Sequence, residues 1–253
     1  MKIDAHNIAL LIMFSFSHIA YSQNPDIKRT MHWYFGYGAG LDFSSGSPIA
    51  DTIFRTETMI DEATYVMSDT CGDLLFHGAT YIEVDKDTIF NKNHQVMANG
   101  VLLKGGGSPT QRICMQQPEN DCRYYVFYNG LFTSDINHLG NFSYAIIDMS
   151  QDNGLGAVTS KDNVLAGDIN YPFSEKATAV SHCNNKDYWI IGKPQLDDKF
   201  YSWLLTDTGL ATTPVISQVA TIPVENGDGY MKFSPDGNLM AAVYKYESMI
   251  YRK

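Results

Sequence analysis

Residues 177–191, ATAVSHCNNKDYWII, hold the pattern that decides the fold. A short apolar run is followed by a polar turn and then by an aromatic run. No 3.6-residue periodicity runs through it, and its β-branched and aromatic content suits strands. The same order recurs along the chain. Residues 112–116 lead through the Pro118 turn into RYYVFY at 123–128 and then FSYAIID at 142–148. Residues 63–68 (ATYVMS) lead through DTCGD at 69–73 into LLFH at 74–77, with further short strands predicted at 81–84 and 87–90. Residues 200–205 and 213–219 extend the 177–191 unit, and residues 229–233 lead through SPDG at 234–237 into 239–244. The leading strands start near Thr64, Arg112, Thr178 and Tyr230, close to the repeat length of propeller blades, ~40–50 residues.

This grammar predicts an all-β fold, a β-propeller of four-stranded antiparallel blades of the WD-like or TolB-like kind. A four-stranded meander cannot cover both of its faces alone, whereas stacking such sheets about an axis buries them. Strands such as YYVFY and YWII, apolar on both faces, fit that arrangement better than a sandwich, where one face of each sheet meets water and alternation is cleaner. The expected domain layout is a signal peptide at 1–22 and a partial propeller at 23–253 of about three and a half blades, incomplete at its C-terminal end, against a usual minimum of about four. On that expectation the chain is a fragment, or two copies complete one ring.

Composition sets outer limits. Of 253 residues, 44% are hydrophobic and 18% charged, enough apolar surface for a sizeable core. The net charge of −10 repels phosphate backbones and argues against nucleic-acid partners. At the N-terminus, Lys2, the apolar run IALLIMFSF at 8–16 and Ala20-Tyr21-Ser22 form the three regions of a secretory signal, cleaved before Gln23. The apolar run is shorter than the ~20 residues that span a bilayer, so no transmembrane segment is expected.

The motifs that could carry chemistry each have a plainer reading. HWYFGYG at 32–38 is the densest aromatic cluster, and Trp33, Tyr34 and Tyr37 are candidate platforms for stacking a sugar ring. Its plainer role is a first strand packed on the propeller. Cys114 and Cys122 flank a turn-like segment, so a bridge closing that hairpin is one reading; four unpaired cysteines, with Cys71 and Cys183, is the other. KGGGSPT at 104–110 lacks the order of a phosphate loop and reads as a connection. Asp148, Asp152, Asp168, Asp197, Asp198 and Asp207 sit mostly in turns, although a propeller can bring acids together from different blades. Gly227-Asp228-Gly229 has some of the oxygen donors of a calcium loop, without the rest. His32, His77, His94, His138 and His182 form no HExxH or HxH, and no serine lies in a GxSxG elbow. No catalytic residues, cofactor or metal are assigned.

A set of motifs in fixed order also resembles a known family. HWYFG at 32–36, GLDF at 40–43, GSP at 46–48, DLLF at 73–76 and NKNHQVM at 91–97 open it. YAIIDM at 144–149, GLG at 154–156, EKATAV at 175–180, His182, DYW at 187–189 and KFSPDG at 232–237 complete it. From residue 33 to 243 the chain resembles the N-terminal β-propeller region of large secreted Bacteroidetes proteins, the gliding-motility-associated class with type B sorting domains read by the type IX secretion system. The resemblance implies an exported, non-enzymatic module at the cell surface or secreted, binding a protein or glycan, with self-association through open propeller edges. A carbohydrate-active enzyme using channel carboxylates, or a periplasmic TolB-like scaffold, are the alternatives. The immunoglobulin-like module and the C-terminal sorting domain of that class do not occur in these 253 residues.

Overall fold

Short strands punctuated by side-chain-bonded turns build the whole described chain. The computed structural model describes residues 25–36, 38–52, 64–81, 86–102, 112–129, 140–218, 227 and 229–244. The leader at 1–22 and the glycine-rich stretch at 104–110 lie outside the described residues.

After a 3-10 turn (Pro25–Thr30), β1 (His32–Gly36), β2 (Ala39–Asp42) and β3 (Ile49–Asp51) form a three-stranded antiparallel sheet. Then β4 (Tyr65–Ser68), β5 (Leu74–Tyr81), β6 (Lys86–Asn91) and β7 (Val96–Val101) make one antiparallel meander. A second follows with β8 (Ile113–Gln116), β9 (Arg123–Asn129), β10 (Phe142–Asp148) and β11 (Ala157–Ala166). The third unit is β12 (Phe173–Ser181), β13 (Tyr188–Pro194) and β14 (Lys199–Thr206), with β15 (Gly209–Leu210) and β16 (Val215–Gln218) both on β14. The hairpin of β17 (Gly229–Phe233) and β18 (Met240–Tyr244) ends the described chain.

The all-β expectation holds. The first two meanders, however, form one eight-stranded path in the order β4-β5-β6-β7-β11-β10-β9-β8. They join by a single parallel pairing, Ala157 with Ala98. Side chains reinforce that seam: Asn99 Nδ2 donates to the Val158 carbonyl at 2.9 Å, and Lys161 Nζ to the Val101 carbonyl at 2.6 Å. The end strands β4 and β8 lie side by side, so the path nearly closes on itself as a barrel does.

The expected strand assignments need one correction in the first meander. Tyr81 ends β5, residues 82–85 lie outside the described residues, and the fourth strand is β7. The Asn91 side chain closes the turn ahead of β7, accepting the backbone N–H of Asn93 at 2.9 Å and of Gln95 at 3.2 Å. His94 there takes φ 60°, a left-handed conformation.

One turn chemistry repeats between the first and second strands of all four units. Asp69 Oδ1 accepts the N–H groups of Cys71, Gly72 and Asp73 at 2.7, 2.8 and 3.0 Å. Asn120 Oδ1 accepts those of Cys122 and Arg123, and Asn184 Oδ1 those of Lys186 and Asp187. Asp236 Oδ1 accepts the N–H of Asn238. Each carboxyl or amide satisfies backbone donors that a tight turn leaves without strand partners.

Among the described residues, three apolar clusters fill the seams between units. The first joins Met67, Phe76, Ile89 and Met97 of the first meander to Tyr124, Val126 and Ile147 of the second. The second joins Phe127 and Phe142 to Phe173, Ile190 and Trp203 of the third unit. The third joins Ile191 and Phe200 to Met231 of the last hairpin. Close packing leaves no room at Gly78, where a Cβ would fall 1.8 Å from the Tyr65 ring.

Candidate functional site

The first strand of every unit lies at a sheet end. β4 and β8 terminate the eight-stranded path, β12 terminates its own sheet, and β17 has β18 on one side. These four strands converge on one cavity of about 1010 Å³. A strand at a sheet end has backbone N–H and C=O groups on one edge without strand partners. The cavity wall therefore offers main-chain donors and acceptors alongside the hydroxyls of Thr178 and Ser181, while those of Thr64 and Ser234 donate within the fold.

Charge in the wall is sparse. Arg112 and Lys232 are its cations and Asp236 its carboxylate, among the described residues. Arg112 is anchored from behind: its Nε donates to Asp87 Oδ2 at 2.8 Å, with both side chains almost wholly buried. Burial pushes the Asp87 carboxyl up, and the Arg112 charge opposes that rise without overcoming it. Asp236 is held below the usual carboxylate range by the Ser234 hydroxyl first and by Asn238. It is a turn-forming group whose acceptors are already engaged.

The six scattered acids do not assemble here. None of Asp148, Asp152, Asp168, Asp197, Asp198 and Asp207 lines the cavity. Asp148 accepts from Ser150, and Asp168 accepts the N–H groups of Asn170 and Tyr171. Asp197 bonds Tyr171 and Lys199, Asp198 accepts from Gln218, and the Asp207 carbonyl accepts from Gln117. Asp152 lies in an exposed 3-10 turn, Asp152–Gly154. Among the described residues no three histidine, cysteine or acidic groups could hold a metal ion. In the candidate calcium turn, Asp228 lies outside the described residues, and the Gly227 carbonyl accepts from Lys176 Nζ at 3.1 Å.

The candidate stacking residues separate. Trp33 is 49% exposed, Tyr34 is 4% exposed, and Tyr37 lies outside the described residues. Alternation along β1 turns Tyr34 inward, where its hydroxyl donates to Asp51 Oδ2 at 2.9 Å. Burial first, and then Asp51, pushes its phenol well up. The aromatic companions of Trp33 are instead the exposed Phe35 (centroids 6.4 Å, 82°) and the half-buried Phe43 (5.1 Å, 53°). Period-two alternation could have paired Phe35 with Trp33; Phe43 directly follows the neighbouring strand β2 and needed the register.

The Cys114–Cys122 bridge does not form; all four cysteines are free. The register explains it. Gln116 faces Tyr124 and the Gln117 N–H bonds the Arg123 carbonyl, so Cys122 lies beyond the end of β8. Cys114 sits four residues back from the position facing it, an offset of about 13 Å, against a Cα separation of at most about 7 Å in a disulfide. The Cys114 side chain packs on the first apolar cluster, where burial pushes its thiol up.

A histidine pair carries no local sequence motif. The β5–β6 hairpin and the following turn bring His77 Nε2 to 3.1 Å from His94 Nδ1. Their seventeen-residue separation is legible only once that hairpin is known. His182 is a turn residue whose Nδ1 accepts the Asn184 N–H at 3.2 Å; His138 lies outside the described residues.

No helix among the described residues is long and apolar enough to cross a membrane. No protein-family description, curated protein or solved structure matches the chain.

Proposed function

We propose that the chain is an exported β-propeller binding module, with the cavity between β4, β8, β12 and β17 as its ligand site. The observation that carries this reading is the convergence of four sheet-end strands, each followed by the same side-chain-bonded turn, on one polar cavity. On this reading β4–β7, β8–β11 and β12–β16 are three blades, β17–β18 begins a fourth, and the single Ala98–Ala157 pairing is a contact between the outer strands of adjacent blades. The apolar clusters between successive units support it, since blades bury their faces against their neighbours.

The ligand is a polar one, a glycan or the hydroxyl- and amide-rich surface of a protein. Hydroxyls and strand-edge amides suit such groups, and few fixed charges compete. Export follows from the leader and from the resemblance to secreted Bacteroidetes proteins, which together favour the cell surface.

The test is a glycan array and a pull-down from Bacteroidetes cell-surface material, with Ser181→Trp as the blocking variant. Ser181 lines the cavity from an exposed position, so an indole there obstructs the site at little cost to folding. Retention of a ligand that falls at least about tenfold in the variant supports the reading, a loss of about 1.4 kcal/mol. Retention equal in both proteins removes the cavity as the site. Hydrolysis of a retained polysaccharide overturns the non-enzymatic part, and fractionation to the periplasm alone overturns the surface location.

A further inference from the structure

The three-stranded N-terminal sheet is held to the rest of the molecule differently from every other unit. Among the described residues, the three apolar clusters between the other units draw no member from β1, β2 or β3. Its inward face carries His32, Tyr34, Asp42 and Asp51, and polar contacts do the holding. Thr64 Oγ1 donates to the Tyr34 carbonyl at 2.7 Å, His32 Nε2 lies 3.2 Å from the Gly72 carbonyl, and Arg29 Nη1 donates to the Ser68 carbonyl at 3.4 Å. At the centre, the Tyr34 ring meets His77 edge-on at 5.0 Å and His94 at 6.0 Å. His77 in turn stacks on Phe90 at 5.2 Å and 11°.

We propose that His77 and His94 form an acid-sensitive latch, and that loading the pair with protons releases the sheet β1–β3 from β4 and β5. Two neutral imidazoles share one N–H···N bond across 3.1 Å. A first proton can be held between the rings. A second makes both facing nitrogens donors, removes the bond and sets two like charges side by side at a buried position.

The described groups that face the pair come from β4, from β6 and from the N-terminal sheet. On β4 the residue opposite His77 is Val66, and on β6 it is Phe90. Asp87 on β6 is engaged by Arg112, and Lys92 in the β6–β7 turn is exposed. From the N-terminal sheet come Tyr34 and His32 on β1, Asp42 on β2 and Asp51 on β3. Asp51 favours a proton on His94 and His32 opposes it, while burial is the larger influence and holds His94 down. Burial first, and then His94, lowers His77 from 6.5 to about 3. His32 works against release, because its Nε2 lies 3.2 Å from the Gly72 carbonyl and its Nδ1 3.9 Å from Asp42 Oδ1. The latch stands whether or not the cavity holds a ligand.

A bimane label on Cys71 reads the latch directly, with Cys122→Ser and Cys183→Ser removing the other exposed thiols. Cys71 and Trp33 each lie one residue from the His32–Gly72 contact, so the indole quenches the label while the sheet is docked. Near-ultraviolet circular dichroism, to which the fully buried Trp203 contributes, reports global unfolding separately. The expected result is loss of quenching between pH 6.5 and about 3 with the circular dichroism intact. His77→Phe keeps the stacking and has no proton to take, so its release midpoint falls by about one pH unit or more. His94→Asn, which tolerates the left-handed turn, is expected to shift in the same direction. Quenching that persists until the circular dichroism collapses overturns the latch. So does a release midpoint that neither variant moves.

Discussion

Arg112 stands at a boundary, with its guanidinium anchored in the interior by Asp87 and its chain lining the cavity. A buried pair of this kind adds little net stability, because removing two charges from water offsets most of their attraction. Breaking it is another matter. Arg112→Met leaves the Asp87 carboxylate buried without its cation, and the expected loss is about 3–5 kcal/mol in urea unfolding. The double change Asp87→Leu with Arg112→Met is expected to recover most of that loss, since neither charge remains. A double variant as unstable as the single one would make the pair a net stabiliser. At His77 the sign runs toward acid. Above pH 6.5 its ring is neutral folded and unfolded, and its contribution is constant. Below that, the unfolded chain takes up a proton that the chain with its N-terminal sheet docked resists until about pH 3, so the stability of the docked fold falls as pH falls. Two pH units below 6.5 the loss amounts to about 2–3 kcal/mol, read from urea midpoints, and His77→Phe is expected to flatten the slope.

At the level of elements, the repeated turns carry more weight than their length suggests. Asp69 accepts three backbone N–H groups with one carboxylate oxygen. Asp69→Ala removes all three, and the expected cost is about 1.5–3 kcal/mol, with Asp69→Asn recovering at least half, measured by thermal unfolding. These turns were legible in the sequence because Asp, Asn, Gly and Pro mark them through local chemistry. The aromatic second strands were legible too, since β9 and β13 are apolar on both faces. Two kinds of strand were not. β11 is long but reads VTSKDNV at 158–164, a polar, half-buried strand whose pairing with β10 is broken by register shifts. β2 and β3 are short, and β3 exposes Ile49, so their pattern comes from pairing rather than from composition. Among the candidate stacking residues, Trp33 was readable as an exposed aromatic. The His77–His94 pair was not, because it depends on the β5–β6 hairpin, whose first strand runs unbroken through residue 81.

For the molecule as a whole, stability is distributed over the seams, because each apolar cluster belongs to two neighbouring units. The seam between the second meander and the third unit is the most aromatic. Phe127, Phe142 and Phe173 stack at 6.3 Å and 5.9 Å with their planes within 17° and 13°, and Trp203 lies 5.4 Å from Phe142. Phe142 is the ring that crosses the seam, since it belongs to β10 and meets β12 and β14 on the other side. Units that contact only their neighbours gain cooperativity from such interfaces, so weakening one lets the two sides part. Phe142→Ala is expected to cost about 3–5 kcal/mol, the transfer and cavity terms of a wholly buried ring. It is also expected to split one calorimetric transition into two, with residues 173–218 melting first. Among the described residues, those keep the β17–β18 cluster as their second apolar seam, whereas the two meanders still share the larger first cluster and the β7–β11 pairing. Hydrogen exchange through the transition assigns the order. Simultaneous loss of protection on both sides of Phe142 would mean that the seam is held by contacts beyond this stack.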